Sequence, residues 1–285
     1  MAINYDKLMS TKLPEKEFSY TTRDTMLYAL GVGMGADPMD RKELPFVFEM
    51  KELKAVPTQA TVIAWDDSFI FNSGINVVMV VHGEQKITLH RPLPTAATVV
   101  AQSRLVDIFD KGAGKGAILL METAIRDKKT GELLCTNNST AFARGDGGFG
   151  GRNGSGPAPH AMPERKPDHV CSLKTRPDHA FLYALSGDRN PLHRDPDVAA
   201  AAGFPRPIIQ GLCTYGHACH AVLKSVCDYR SERIADFAGR FTAPVYPGET
   251  IDTEIWQDGN IVSFRCQIPE RKVTAINNGK VTLRD

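Results

Sequence analysis

Apolar side chains at Leu212, Tyr215, Cys219, Val222, Leu223 and Val226 fall on one stripe at helical period. That spacing predicts an amphipathic helix over 212–229 with a core to bury against. Downstream the period shortens to two, and strand-like runs follow at 238–241, 250–256, 261–268 and 273–276, with a QDGN turn at 257–260. Upstream, shorter helical pieces are expected at 177–185 and 195–202, the second closed by Gly203 and the prolines after it. One long helix followed by strands joined through short turns predicts an antiparallel sheet wrapped on a helix, an α+β arrangement.

The same pattern occurs earlier in the chain. LYALGVG at 27–33 matches LYALSGD at 182–188, an offset of 155, and RPLPTAATV at 91–99 matches APVYPGETI at 243–251, an offset of 152. Each second motif then runs into a strand, a glycine-containing turn and another strand, the first of these turns being DKGAGKG at 110–116. Two matches at nearly one offset predict a duplicated domain. The halves are not equal, because 61–81 is interrupted by Asp-Asp and Asn-Ser-Gly where the second half holds its long helix. Expected boundaries are an N-terminal repeat at 1–148, a Gly/Pro-rich linker at 149–168 and a C-terminal repeat at 169–285.

Thirty-four basic against thirty-three acidic residues give a net charge of +1, which argues against non-specific nucleic-acid or membrane-surface binding. Six cysteines without a CxxC pair predict reduced thiols in a cytoplasmic setting, no disulfide framework and no metal framework. No run is long enough for a membrane span, and the N-terminus lacks the apolar core of an export signal.

Candidate chemistry concentrates in YALSGDRNPLHRDP at 183–196. Pro191 fixes its own φ and pushes Asn190 out of the helical region, so the chain bends between Asp188 and His193, an acid and a base. The alternative is a turn with a capping Asp, and the residues alone leave both open. The corresponding positions in the first half are Gly33 and Pro38, so only one half carries the pair. A rival site is a metal centre at Cys213, His217 and His220, one helical face with zinc-type ligands but no fourth ligand evident.

YALSGDRNPLH, GLCTYGH at 211–217 and FTAPVYPGET at 241–250 closely resemble the hydratase 2 family, the R-specific enoyl-CoA hydratases of the MaoC-like group. HGEQKITLHRPLP at 82–94, DKGAGKG and the GGFGG linker extend the likeness over nearly the whole chain, in its two-repeat form. The resemblance implies a double hot-dog fold: two antiparallel sheets, each associated with a helix, the N-terminal helix shortened. It implies Asp188 and His193 as the catalytic pair, Asn190 holding the loop between them, and the Gly211 amide at the thioester oxygen. It places His82, Gly83, Lys111 and Phe241 against an acyl-CoA, and Tyr183 is expected to line the pocket. Without it, His82 reads as a strand-end histidine, Lys111 as a hairpin lysine, and Phe241 and Tyr183 as packing.

One departure is Gln210, where many members have histidine before the oxyanion glycine. The implied reaction is reversible syn hydration of trans-2-enoyl-CoA to (3R)-3-hydroxyacyl-CoA, with no cofactor, in a homodimer. A hot-dog thioesterase and a non-catalytic acyl-CoA binding protein are the alternatives. The intact pair, present in one half only, disfavours both.

Overall fold

Alternating burial along the chain becomes ten strands in the computed structural model, which describes residues 3–66, 68–154 and 156–285. Met1 and Ala2 of the expected N-terminal repeat, Asp67 of its Asp-Asp break and Ser155 of the expected linker lie outside the described residues. In the first half, β1 (Lys16–Tyr20), β2 (Val80–Leu89), β3 (Ala97–Asp110), β4 (Ala117–Asp127) and β5 (Leu133–Ala143) lie in the order β1-β3-β4-β5-β2. In the second, β6 (His169–Lys174), β7 (Ile234–Phe241), β8 (Thr250–Asp258), β9 (Ile261–Ile268) and β10 (Val273–Leu283) lie in the order β6-β8-β9-β10-β7. From the outer edge inward, the second order repeats the first strand for strand.

The two expected sheets are joined into one. Inner edge strands β2 and β7 pair antiparallel from Glu84↔Arg240 to Thr88↔Asp236, giving a continuous ten-stranded sheet. The pairing satisfies backbone groups that two separate sheets would leave open at those edges.

Helices α1 (Tyr5–Ser10), α2 (Thr22–Gly31), α3 (Leu44–Val47), α4 (Ser68–Asn72), α5 (His179–Ala184), α6 (Pro196–Ala201) and α7 (Gly211–Ser225) complete the chain. Helix α7 is buried nearly all round, including Leu212, Tyr215, Cys219, Val222 and Leu223 of the predicted stripe. A helix apolar on all sides belongs in an interior. It packs against β6, β8 and the first half's 3-10 turn Pro57–Thr61, and a Cβ at Gly216 would collide with Val32. Helix α7 therefore binds the halves together, and Tyr28, Val32 and Ile87 share one core with Tyr215, Phe237 and Phe264. The helix stops at Ser225, short of the expected 229, because Asp228 and Tyr229 take φ of 50° and 56°. In the first half, the long helix gives way to Pro57–Thr61, α4 and the 3-10 turn Val77–Met79.

Strand β10 runs seven residues past the expected 276, through the polar Asn277–Lys280 stretch, because β7 and β9 pair with it from both sides. Cross-strand pairing overrides local propensity there. Among the described residues no helix is long and apolar enough to cross a membrane.

Candidate active site

The bend between α5 and α6 is built from side-chain hydrogen bonds to its own backbone. Asp188 Oδ1 accepts from the Asn190 amide at 3.1 Å, and Asn190 Oδ1 accepts from the Leu192 amide at 3.0 Å, capping the 3-10 turn Pro191–His193. These local bonds are what Asp and Asn offer a turn. The Asx turn brings Asp188 and His193 to the same side, with Asp188 Oδ2 3.7 Å from His193 Nε2. Both residues are more than nine-tenths buried.

His193 Nδ1 lies 2.9 Å from the Ile208 carbonyl oxygen. A carbonyl only accepts, so Nδ1 carries the proton and neutral His193 presents an Nε2 lone pair toward Asp188. Burial lowers the His193 pKa, and the nearby Asp188 charge only partly offsets this. The histidine is thus neutral at neutral pH. A gap of 3.7 Å is too long for a direct hydrogen bond.

Gly211 opens α7. Amides in a helix's first turn lack an intrahelical acceptor, and the dipole of this helix adds positive potential there. A Cβ at Gly211 would lie 3.4 Å from the Phe241 ring, and the His82 ring lies 4.9 Å from Phe241. Gly211 from α7, Phe241 from β7 and His82 from β2 therefore form a row across the seam between the halves. His82 Nε2 meets the Glu84 carbonyl at 3.1 Å, and desolvation lowers its pKa to about 4. Gly83 sits at a register shift between β2 and β5, where a Cβ would come within 2.7 Å of Thr140 Oγ1. Only glycine fits that approach.

Lys111 is not in contact with this row. It lies at the same end of the sheet, since Asp110 pairs with Ala117, Ala117 with Ala143 and Ala143 with Val80, three strand spacings or roughly 14 Å from β2. Tyr183, expected at the pocket wall, has no exposed surface, its ring 5.9 Å from Tyr28 and close behind Gly31. The helical position that follows from LYAL turns it inward, where burial, with the Asp188 charge a lesser cause, raises its hydroxyl pKa far above the ordinary value.

Comparison with known proteins gives the family. Residues 18–145 match the MFE-2 hydratase 2 N-terminal domain and residues 159–279 the MaoC like domain. The chain is 39% identical to the Arabidopsis thaliana protein named enoyl-CoA hydratase 2, peroxisomal, over 96% of this chain and 93% of that one. The chain belongs to the MaoC-like hydratase 2 family. The crystal structure of a MaoC-like dehydratase from Phytophthora capsici superposes with a TM-score of 0.88 at 30% identity, covering 99% of this chain and 98% of that one. A Mycobacterium tuberculosis protein described as having a double hotdog fold aligns at a TM-score of 0.61 and 13% identity, over 98% and 97% of the two chains, which speaks to fold. The hydratase 2 chain is an α+β double hot-dog.

Two further residues of this hydratase 2 chain, neither singled out by the sequence, hold segments near these positions. Asp110, buried, accepts from the amides of Gly112, Gly148 and Gly150 at 2.7–2.8 Å, tying the hairpin of Lys111 to the Gly-rich linker. Those bonds, led by Gly148, hold its carboxyl below the usual range. The DKG and GGFGG motifs are each readable alone, but their meeting is a long-range contact. Trp65, from the broken middle of the first half, packs 3.3 Å from where a Cβ on Gly187 would stand, beside Asp188.

The supposed metal face is rearranged. His220 turns away to Glu43, 2.9 Å from its Nε2, while His179 joins Cys213 and His217, with ligand-capable atoms within 4.8 Å of one another. His179 Nδ1 already accepts from the Arg176 amide, its Nε2 and the Cys213 thiol meet the Gly31 carbonyl, and His217 Nδ1 meets the Cys213 carbonyl. These groups serve the buried C-terminal end of α2 as hydrogen-bond partners, and burial raises the Cys213 thiol far above its ordinary pKa. His217 Nε2 alone among these atoms has no protein partner, so the set offers a metal ion one open atom rather than three.

Proposed function

We propose that this chain catalyses reversible syn hydration of trans-2-enoyl-CoA to (3R)-3-hydroxyacyl-CoA in fatty acyl-CoA metabolism. The observation that carries the reading is the buried Asp188 and His193 pair, 3.7 Å apart, with His193 Nε2 left as an acceptor. Water bonded to both loses a proton to one of them as its oxygen adds to C3 of the enoyl thioester. The same proton returns to C2 from the same side, so the elements of one water add syn and nothing else is consumed. Negative charge developing on the thioester oxygen is met by the Gly211 amide at the start of α7.

The C-terminal repeat at 169–285 supplies this chemistry, and the N-terminal repeat at 1–148 holds the acyl-CoA. Support for the second role comes from His82, which reaches Phe241 across the seam, and from the anchored Lys111 hairpin, whose charge suits an anionic CoA. A cavity of about 380 Å³ lined by Leu8, Leu13, Phe18, Ala64, Phe69 and Ala101 lies where the first half lacks its long helix. Its wall also carries Lys7, Lys12, Lys16 and Asp66, so a medium or long acyl tail would lie along its apolar side, each buried methylene contributing about 0.8 kcal/mol. All six cysteines are free and buried, which suits a cytoplasmic setting and equally the peroxisome that the Arabidopsis relative's name gives. The homodimer expected from the family is tested by sedimentation of the purified chain.

The deciding experiment mixes purified protein with trans-2-decenoyl-CoA, follows loss of the conjugated enoyl absorbance and assigns the product's C3 configuration. The 3R alcohol supports the reading. Release of free CoA thiol with no alcohol would replace it with thioester hydrolysis.

A further inference from the structure

We propose that Gln210 is a positioning residue that locks the acid-bearing loop to the oxyanion amide, an inference that rests on the hydratase reading of the site. Gln210 has no exposed surface and is the residue immediately before α7. Its side-chain Nε2 donates to the Ala180 carbonyl of α5 at 3.1 Å and, in a longer contact of 3.5 Å, to the Asp188 carbonyl. The two carbonyls fix which end of the amide is nitrogen. Its own carbonyl accepts from the amides of Cys213 and Thr214 at 3.0 and 3.2 Å, beginning the helix. The peptide bond that follows that carbonyl carries the Gly211 N–H. One side chain therefore spans the peptide of the general acid-base residue and the peptide that meets the substrate oxygen.

An uncharged amide suits the task. It provides two N–H donors at a single atom, facing two carbonyls, and keeps them at every pH at which the enzyme works. An imidazole has one hydrogen per ring nitrogen, the nitrogens point in different directions, and it offers both only when charged. A charged imidazolium beside His193 would also disfavour a proton passing to His193. Glutamate has the shape of glutamine but, once ionised, has no donor for either carbonyl and is buried against two acceptors.

The test uses the full chain with Gln210→Met, which keeps length and volume but removes both donors, and Gln210→Glu. On trans-2-decenoyl-CoA, Gln210→Met is expected to lower kcat about tenfold or more with KM changed less than about threefold, because the loss falls on alignment in the transition state. Gln210→Glu is expected to lose more activity as pH rises from 5 to 9 and to recover toward acid pH, where a protonated carboxyl regains one donor. General destabilisation by a buried charge would also grow with pH, but it would not be confined to two segments of the chain.

Hydrogen exchange at the amides of 186–190 and 211–213 supplies a readout independent of turnover. Faster exchange in these two segments of Gln210→Met, with β7–β10 unchanged, is expected. If wild type proves inert on enoyl-CoA, the functional reading fails while the exchange result still decides whether Gln210 couples the segments. Should Gln210→Met fail to fold, Gln210→Glu carries both comparisons. Wild-type kcat, pH profile and exchange in the folded variants would overturn the proposal.

Discussion

His193 illustrates how one hydrogen bond sets a residue's chemistry. The Ile208 carbonyl places its proton on Nδ1, and burial keeps it neutral to lower pH than a solvent-exposed histidine. The acid limb of kcat/KM should therefore fall below the ordinary histidine value of about 6.5, because protonation of His193 removes the acceptor for water. A limb above that value would contradict the assignment. Asp188→Asn and His193→Gln should each lower kcat by about 10²–10⁴, with circular dichroism unchanged. At this scale the sequence was informative where chemistry is local: the Asp, Asn and His of the bend lie within six residues, and their bonds to nearby backbone build the site. It was silent on Asp110 and Trp65, whose partners are distant in the chain, and for Tyr183 periodicity does not distinguish a core face from a pocket wall.

At the scale of elements, Gly83 shows why a strand needs a particular residue. Its close approach to Thr140 Oγ1 at the β2–β5 register shift leaves no room for a methyl group. Gly83→Ala should cost about 1–3 kcal/mol in urea unfolding, and adding Thr140→Ala, which removes the colliding hydroxyl, should restore most of it. Equal stability of the single variant and wild type would mean the strand shifts freely, and His82 with it. Helix α7 was readable from its stripe because its apolar side chains recur at helical period. The tail of β10 was not, because its Asn-Asn-Gly-Lys stretch becomes a strand only when β7 and β9 flank it.

Across the whole molecule, the two halves are held by a shared core, the β2–β7 pairing and one buried polar cluster. Glu43 of the first half meets His220 at 2.9 Å, Tyr229 at 2.9 Å and the Gly35 amide at 2.6 Å. Burial alone would raise its pKa, but those donors outweigh it and hold the carboxyl below its ordinary value. A folded pKa below the unfolded one gives stability present above about 4.3, the unfolded value, and lost as pH falls through the lower folded value. Urea midpoints of wild type should thus drop more steeply than those of Glu43→Gln as pH goes from 5 to 3. Parallel curves would show that the cluster does not couple to folding. The internal repeat was legible from two offset matches, and the same strand order now recurs in both halves. Fusion of the sheets was not legible, because β2 and β7 each look like an ordinary strand until the other edge is present.

The most direct test of the central claim is the initial rate of trans-2-decenoyl-CoA absorbance loss in wild type beside Asp188→Asn and His193→Gln, at equal protein and pH 7.5. Rapid loss in wild type, with both variants slowed at least a hundredfold, is the expected result. A wild type that turns over while either variant keeps near-normal rates would contradict hydration by the Asp188 and His193 pair.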